Sequence, residues 1–117
     1  MKIAQLFTGA HYVGRAEGDR RSYYIFGGEE AGYLVVSRNE DRGFYMNVVD
    51  AEAPEAITKA FKGKRLTSAG LRKNGGKRPK LFGTSFLCLN ALYVMVALGR
   101  AKKLKLRDGK AIVFKIR

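Results

Sequence analysis

The pattern of apolar and polar positions changes rhythm near residue 50. From Ser22 it consists of short aromatic and β-branched runs: SYYIFGG, GYLVVSRN and RGFYMNVVD, set apart by the acidic turns EEA and NED. Runs of this kind, punctuated by Gly, Asn and acidic residues, predict strands. Linkers of a few residues favour hairpins over crossovers, so the three strands should form an antiparallel meander. Residues 1–21 are less legible. IAQLF fits a strand or a short helix, and GRAEGDRR reads as a polar loop.

After Asp50 the spacing becomes helical. Pro54 suits a first helical turn, with Glu52 or Ala53 near the cap. Asp50, Glu52 and Glu55 place negative charge where the helix dipole favours it. Ala56, Ile57, Ala60 and Phe61 give one apolar face, and Gly63 ends the helix. Thr67 or Ser68 caps a short second helix anchored by Leu66 and Leu71, which stops at Asn74-Gly75-Gly76. A basic connector, KRPK, leads to Thr84 or Ser85, the cap of a long apolar helix closing at Gly99. The tail reads as a hairpin, AKKLKLR and KAIVFKIR around a turn at Asp108-Gly109. Alternation places Leu104, Leu106, Ile112, Phe114 and Ile116 on one face and the lysines on the other.

The apolar run at residues 86–98 has 13 residues, short of the roughly 20 that cross a bilayer. It predicts a buried helix. MKIAQLFTGAHYVGR lacks the layout of a signal peptide. The expectation is a cytoplasmic protein with no membrane partner. Cys88, the single cysteine, lies in the apolar run and reads as a buried thiol.

Charge changes the picture most. The 117 residues carry a net +13, unevenly spread. Residues 1–56 hold six basic and nine acidic side chains, whereas residues 57–117 hold seventeen basic and one acidic. A field this one-sided repels itself and attracts polyanions. Nucleic acid is the expected partner, ahead of an acidic protein or an anionic membrane surface.

Two stretches carry a resemblance. AFKGKRLTSAGL looks like the end of a first helix and the capped start of a second. LYVMVALGRAKKLKLRDGKAIVFKIR looks like the end of a third helix running through Gly into a basic wing: Leu98, Gly99, Lys102 to Arg107, Asp108-Gly109, then Phe114. Over about residues 53–117 this order resembles the winged helix-turn-helix. The resemblance implies nucleic-acid binding, most often to duplex DNA, with the third helix at the major groove and the wing on backbone or minor groove. The third helix is poor in polar groups. Thr84, Ser85 and Asn90, with the Tyr93 hydroxyl, are its only base-edge candidates. A helix this apolar packs on the N-terminal sheet or on a second protomer, so a homodimer through helix 84–98 is an open expectation. The connector between the second and third helices, at about ten residues, is longer than a tight helix-turn-helix turn.

The expected fold class is α+β: an N-terminal antiparallel meander, residues 1–50, packed with a C-terminal winged-helix-like unit, residues 51–117, of three helices plus a basic β-hairpin. The two form one domain. The candidate nucleic-acid contacts are Lys64, Arg65, Arg72, Lys73, Lys77, Arg78, Lys80, Thr84, Ser85, Asn90, Arg100, Lys102, Lys103, Lys105, Arg107 and Lys110, with Lys115 on the same hairpin. Ammonium and guanidinium groups neutralise phosphates. The glycines of AGLRKNGGKRPK miss a nucleotide-binding loop, because Gly76 stands where the Lys after Gly75 is required. No cofactor, metal or catalytic residue is expected. A small nuclease or toxin would need His11, or the acidic pairs Glu29-Glu30 and Glu40-Asp41, to gather beside the basic face. RNA binding and docking to an acidic protein remain alternatives. Tyr23, Tyr24, Phe26, Tyr33, Phe44 and Tyr45 either stack on unpaired bases or fill the sheet's core.

Overall fold

The computed structural model describes residues 10–28, 32–39, 41, 43–75 and 78–117. IAQLF, Glu29, Glu30, Glu40, Gly76 and Lys77 lie outside the described residues. The chain is mixed α+β.

The first sheet is a four-stranded antiparallel meander: β1 (His11–Glu17), β2 (Ser22–Gly28), β3 (Gly32–Arg38) and β4 (Phe44–Val49), in that spatial order. β2, β3 and β4 sit where the apolar runs place them. β1 corrects the reading of GRAEGDRR as a loop, since Gly14 to Glu17 are paired with β2. Its signal was hidden by Gly14. A Cβ there would lie 2.9 Å from the Ala97 carbonyl oxygen, so glycine lets the strand lie directly on a helix.

Register assigns the two faces. Tyr23 pairs with Ser37 and Ser37 with Tyr45, and Ile25 pairs with Val35 and Val35 with Asn47. These residues face inward. Tyr24, Val36 and Met46 form a row on the opposite face, as do Tyr12, Phe26, Leu34 and Val48.

Four helices follow: α1 (Ala53–Phe61), α2 (Ser68–Asn74), α3 (Pro79–Phe82) and α4 (Ser85–Ala97). Asp50 Oδ1 accepts from the Glu52 amide at 2.8 Å, and Pro54 occupies the first turn of α1. Thr67 Oγ1 accepts from Gly70 N–H, and Thr84 Oγ1 from Leu87 N–H, each at 3.0 Å. Both hydroxyls cap their helices. The three expected helices become four because Pro79 starts a single turn inside the connector.

The second sheet has the order β5-β7-β6, with β5 (Arg65–Leu66), β6 (Ala101–Asp108) and β7 (Ala111–Ile116). The short β5, between α1 and α2, carried no sequence signal of its own. α4 is the centre of the molecule. It packs on all four strands of the meander, on the other three helices and on β6. Cys88 and residues 90–95 are buried. The core joins Ile25, Val35 and Val49 of the meander to Ile57, Leu71, Leu92, Met95 and Phe114 of the later elements. Each fully buried Leu, Ile or Phe contributes about 1.5–3 kcal/mol. The apolarity of Cys88 and residues 91–95 of α4 is therefore accounted for by burial within the chain, while Phe86 near its start is exposed.

Candidate functional site

The basic side chains divide by whether the fold gives them an acid. Asp19, in the β1–β2 turn, accepts from Arg107 at 2.6 and 3.3 Å, and Lys103 Nζ lies 4.0 Å from it. Lys103 also donates to the Glu17 carbonyl at 3.0 Å. The Arg107 hydrogen bond holds the Asp19 carboxyl below the usual carboxylate range. Arg78, at the N-terminus of α3, pairs with Glu52 at 2.7 Å, and Arg100 pairs with Glu55 at 2.6 Å. In all three places an acid from the first half of the chain holds a cation from the second.

Lys103 and Arg107 overturn the simple alternation of the hairpin. Lys103 pairs with Phe114 and Arg107 with Ile112, so both lie on the face that holds the core. The ladder is irregular between Lys103 and Arg107, where β6 has two more residues than β7. The turn also differs by one residue. Asp108 pairs with Ala111, which leaves Gly109 and Lys110 as the loop, with Gly109 at φ +61°. Two extra residues keep the alternation in step, so on either side of the irregularity it is the odd-numbered residues of β6, not the set of Leu104 and Leu106, that share a face with Ile112 and Phe114. Leu106, expected on the apolar face, is 51% exposed.

The opposite face of this sheet is where unpaired charge collects. Lys115 on the central strand lies opposite Lys102 of β6 on one side and Arg65 of β5 on the other. All three are exposed, and none has an acidic partner among the described residues. Like charges directly opposite one another destabilise a sheet. Lys115 Nζ donates to the Gly63 carbonyl at 2.7 Å, which orients the ammonium without neutralising it. Lys64 is exposed in the turn before β5, and its carbonyl accepts from Ile116 N–H at 2.9 Å. Lys105 and Lys110 are exposed toward the hairpin tip. Arg72 and Lys73 are exposed in the last turn of α2, and Lys80 is exposed on α3. Arg72 and Lys73 thus stand on the second helix, as its expected end at Asn74 places them, while Lys80 stands on a helical turn inside the connector. Lys77 lies outside the described residues.

The base-edge candidates fare differently. Ser85 is exposed at the start of α4. Thr84 has its hydroxyl committed to the cap. Asn90 is 3% exposed, and its amide donates to the Phe86 carbonyl at 2.9 Å while its side-chain oxygen has no partner. Burial removes Asn90 from any base-reading role. It also pushes the Tyr93 hydroxyl pKa upward and the Cys88 thiol up to about 11, so Cys88 is an inert core thiol.

His11 opens β1, six residues from the Glu17 carbonyl that meets Lys103, or about 20 Å along an extended strand. It does not join the wing cations. Among the described residues no group of three His, Cys, Asp or Glu side chains is placed to hold a metal ion, and no helix is long and apolar enough to cross a membrane.

One feature was missed from the sequence. At one end of the meander the inner face of the sheet runs past α4, leaving a cavity of about 400 Å³ bounded by Tyr23, Tyr45, Phe86, Leu89, Tyr93 and Ile112. Arg20 and Arg21, which read as loop residues, lie at its rim, with the Arg21 guanidinium 5.2 Å from the centre of the Tyr45 ring. Only register could have found it, because Tyr45, Ser37 and Tyr23 share a face through two pairings. No protein-family model, curated protein or solved structure matches this chain.

Proposed function

We propose that the protein binds nucleic acid without catalysis, gripping backbone phosphates with the outer face of its three-stranded sheet. The observation that carries this reading is the row Arg65, Lys115 and Lys102: three cations side by side on three paired strands, with no acid among the described residues to neutralise them. A row of phosphates relieves the like-charge repulsion and releases condensed counterions. Lys64 adjoins the row in the turn before β5, and Lys105 and Lys110 add exposed positive charge toward the hairpin tip.

The order α1, α2, α4 and hairpin supports a winged-helix-like unit acting on duplex DNA. The burial of α4 shifts the contact from that helix to the sheet, so affinity comes from phosphates more than from base edges. A second reading, unpaired DNA or RNA, is favoured by Tyr24, Phe44 and Tyr45, which are 39%, 67% and 48% exposed.

Binding to random duplex should weaken steeply as salt rises, with a log–log slope of about −0.9 per phosphate contacted. A flat response between low and physiological salt would sink the proposal. A parallel titration with single-stranded oligonucleotide ranks the two substrates.

A further inference from the structure

The cavity between the meander and α4 plays no part in the phosphate contacts just described. Its 400 Å³ falls within the range of small-ligand sites. Tyr23 and Tyr93 are stacked at 4.3 Å and 20° on its inner side. Gly18 makes this arrangement possible, since a Cβ there would come within 2.6 Å of the Tyr23 ring and 3.0 Å of the Tyr93 hydroxyl. Two polar side chains line the sheet wall, Ser37 and Asn47. The mouth is framed by Tyr45 and Phe86, large rings left 48% and 59% exposed.

We infer that this pocket takes one unpaired nucleobase. The inference rests on the nucleic-acid reading and specifies what the protein recognises beyond phosphate. Aromatic walls favour a flat π-system over an alkyl chain. An amide and a hydroxyl supply both donors and acceptors, as the polar edge of a base requires. Arg20 and Arg21 at the rim are placed for the phosphates that flank such a base, and the Asp19 carboxylate, which also lines the pocket, is already paired with Arg107. A base reaches a pocket of this kind only when it is out of the duplex stack, so the substrate is single-stranded or carries an extruded nucleotide.

The same ring and phosphate could arrive as a free nucleoside monophosphate, and the experiment separates the two sources. Fluorescence anisotropy compares a short single-stranded oligonucleotide with one of equal length whose sugars lack bases, at fixed salt. The wild-type protein should prefer the base-bearing strand by about tenfold. The double variant Tyr45→Ala with Phe86→Ala, both at exposed positions, should bind the two strands equally. Equal binding of both strands by the wild type overturns the pocket while leaving phosphate binding intact. A preference that survives in the double variant also overturns it, and moves base contact to Tyr24 and Phe44 on the other face of the meander. Binding of neither strand overturns the nucleic-acid reading itself. Adenosine monophosphate should bind the wild type at least about tenfold more weakly than the base-bearing strand. Equal or tighter binding of the monophosphate overturns the polynucleotide source.

Discussion

Helix α4 and the outer face of the three-stranded sheet differ in how far the fold leaves them open, although the sequence reading gave both a part in the contact, the helix at base edges and the wing on the backbone. α4 holds the expected base-edge donors, yet it is the most enclosed segment of the chain, with Leu92 and Met95 fully buried and Asn90 sealed among them. The sheet face holds no base reader, but it displays Arg65, Lys115 and Lys102 in one cross-strand row. The difference teaches that a helix enclosed on most sides, as residues 88–95 are, has little face left to lie in a groove. Under the proposed function, the contact with nucleic acid passes to the element whose charge the fold leaves unmatched.

A second contrast sharpens the first. The two faces of the β6–β7 hairpin carry similar cations with different employment. Lys103 and Arg107 hold the β1–β2 turn through Asp19, while Lys102 and Lys115 face solvent. Part of the net +16 of residues 57–117 is therefore spent inside the molecule, joining its basic half to its acidic half.

The largest expected effect tests the burial of α4. Leu92→Ala should cost about 2–5 kcal/mol in denaturant unfolding, as large-to-small changes in a packed core do. A cost below about 1 kcal/mol would mean that the helix is not enclosed. Next in size, Lys102→Ala should reduce the salt slope of duplex binding by about 0.9. Its stability should stay level or rise slightly, because a like-charge pair is removed. Unchanged binding would take β6 out of the interface. Smaller still, Asn90→Leu should alter stability by no more than about 1 kcal/mol, since it removes an amide whose oxygen is buried without a partner. Nucleic-acid affinity should not move, and a clear loss would restore Asn90 as a contact.

The smallest effect is one of pH. The Asp19 pKa is lowered, chiefly by its hydrogen bond from Arg107. Its contribution is present above the unfolded carboxylate value of about 3.9 and is lost as pH falls through the lower folded value. Protection factors of the amides of residues 103–107, corrected for the intrinsic pH dependence of exchange, should stay constant from neutral pH to about 5 and fall only below about 4. Loss of protection already near pH 6 would show that Asp19 does not hold the hairpin.

Much of the fold was legible because local signals agreed with it. β2, β3 and β4 announce themselves by aromatic and β-branched runs between turns. Thr67 and Thr84 cap their helices as the residue preference demands, and Gly63 follows α1. The missing parts depend on contacts across the chain. β1 is masked by Gly14, whose reason is the carbonyl of Ala97. β5 has only two residues and exists because β7 pairs with it. The face of β6 was misassigned because alternation within one strand does not say which of its two sets meets the partner's apolar set, and pairing puts Lys103 opposite Phe114 and Arg107 opposite Ile112. Site residues were legible as charge but not as interface. Sequence shows that Arg78, Arg100, Lys103 and Arg107 are cations, whereas only the fold brings Glu52, Glu55 and Asp19 to them. The aromatic pocket was invisible for the same reason, since Tyr23, Ser37 and Tyr45 meet through strand pairing alone.

The central claim is that the outer row contacts phosphate and the inner cations do not. The most direct test measures the salt dependence of duplex binding for two variants side by side: Arg65→Ala, Lys102→Ala and Lys115→Ala together, and Lys103→Ala with Arg107→Ala. The first should lose close to three phosphate contacts, flattening the log–log slope by about 2.7, while the second keeps the wild-type slope within about one contact. A normal slope in the first variant with a flattened slope in the second would contradict the account.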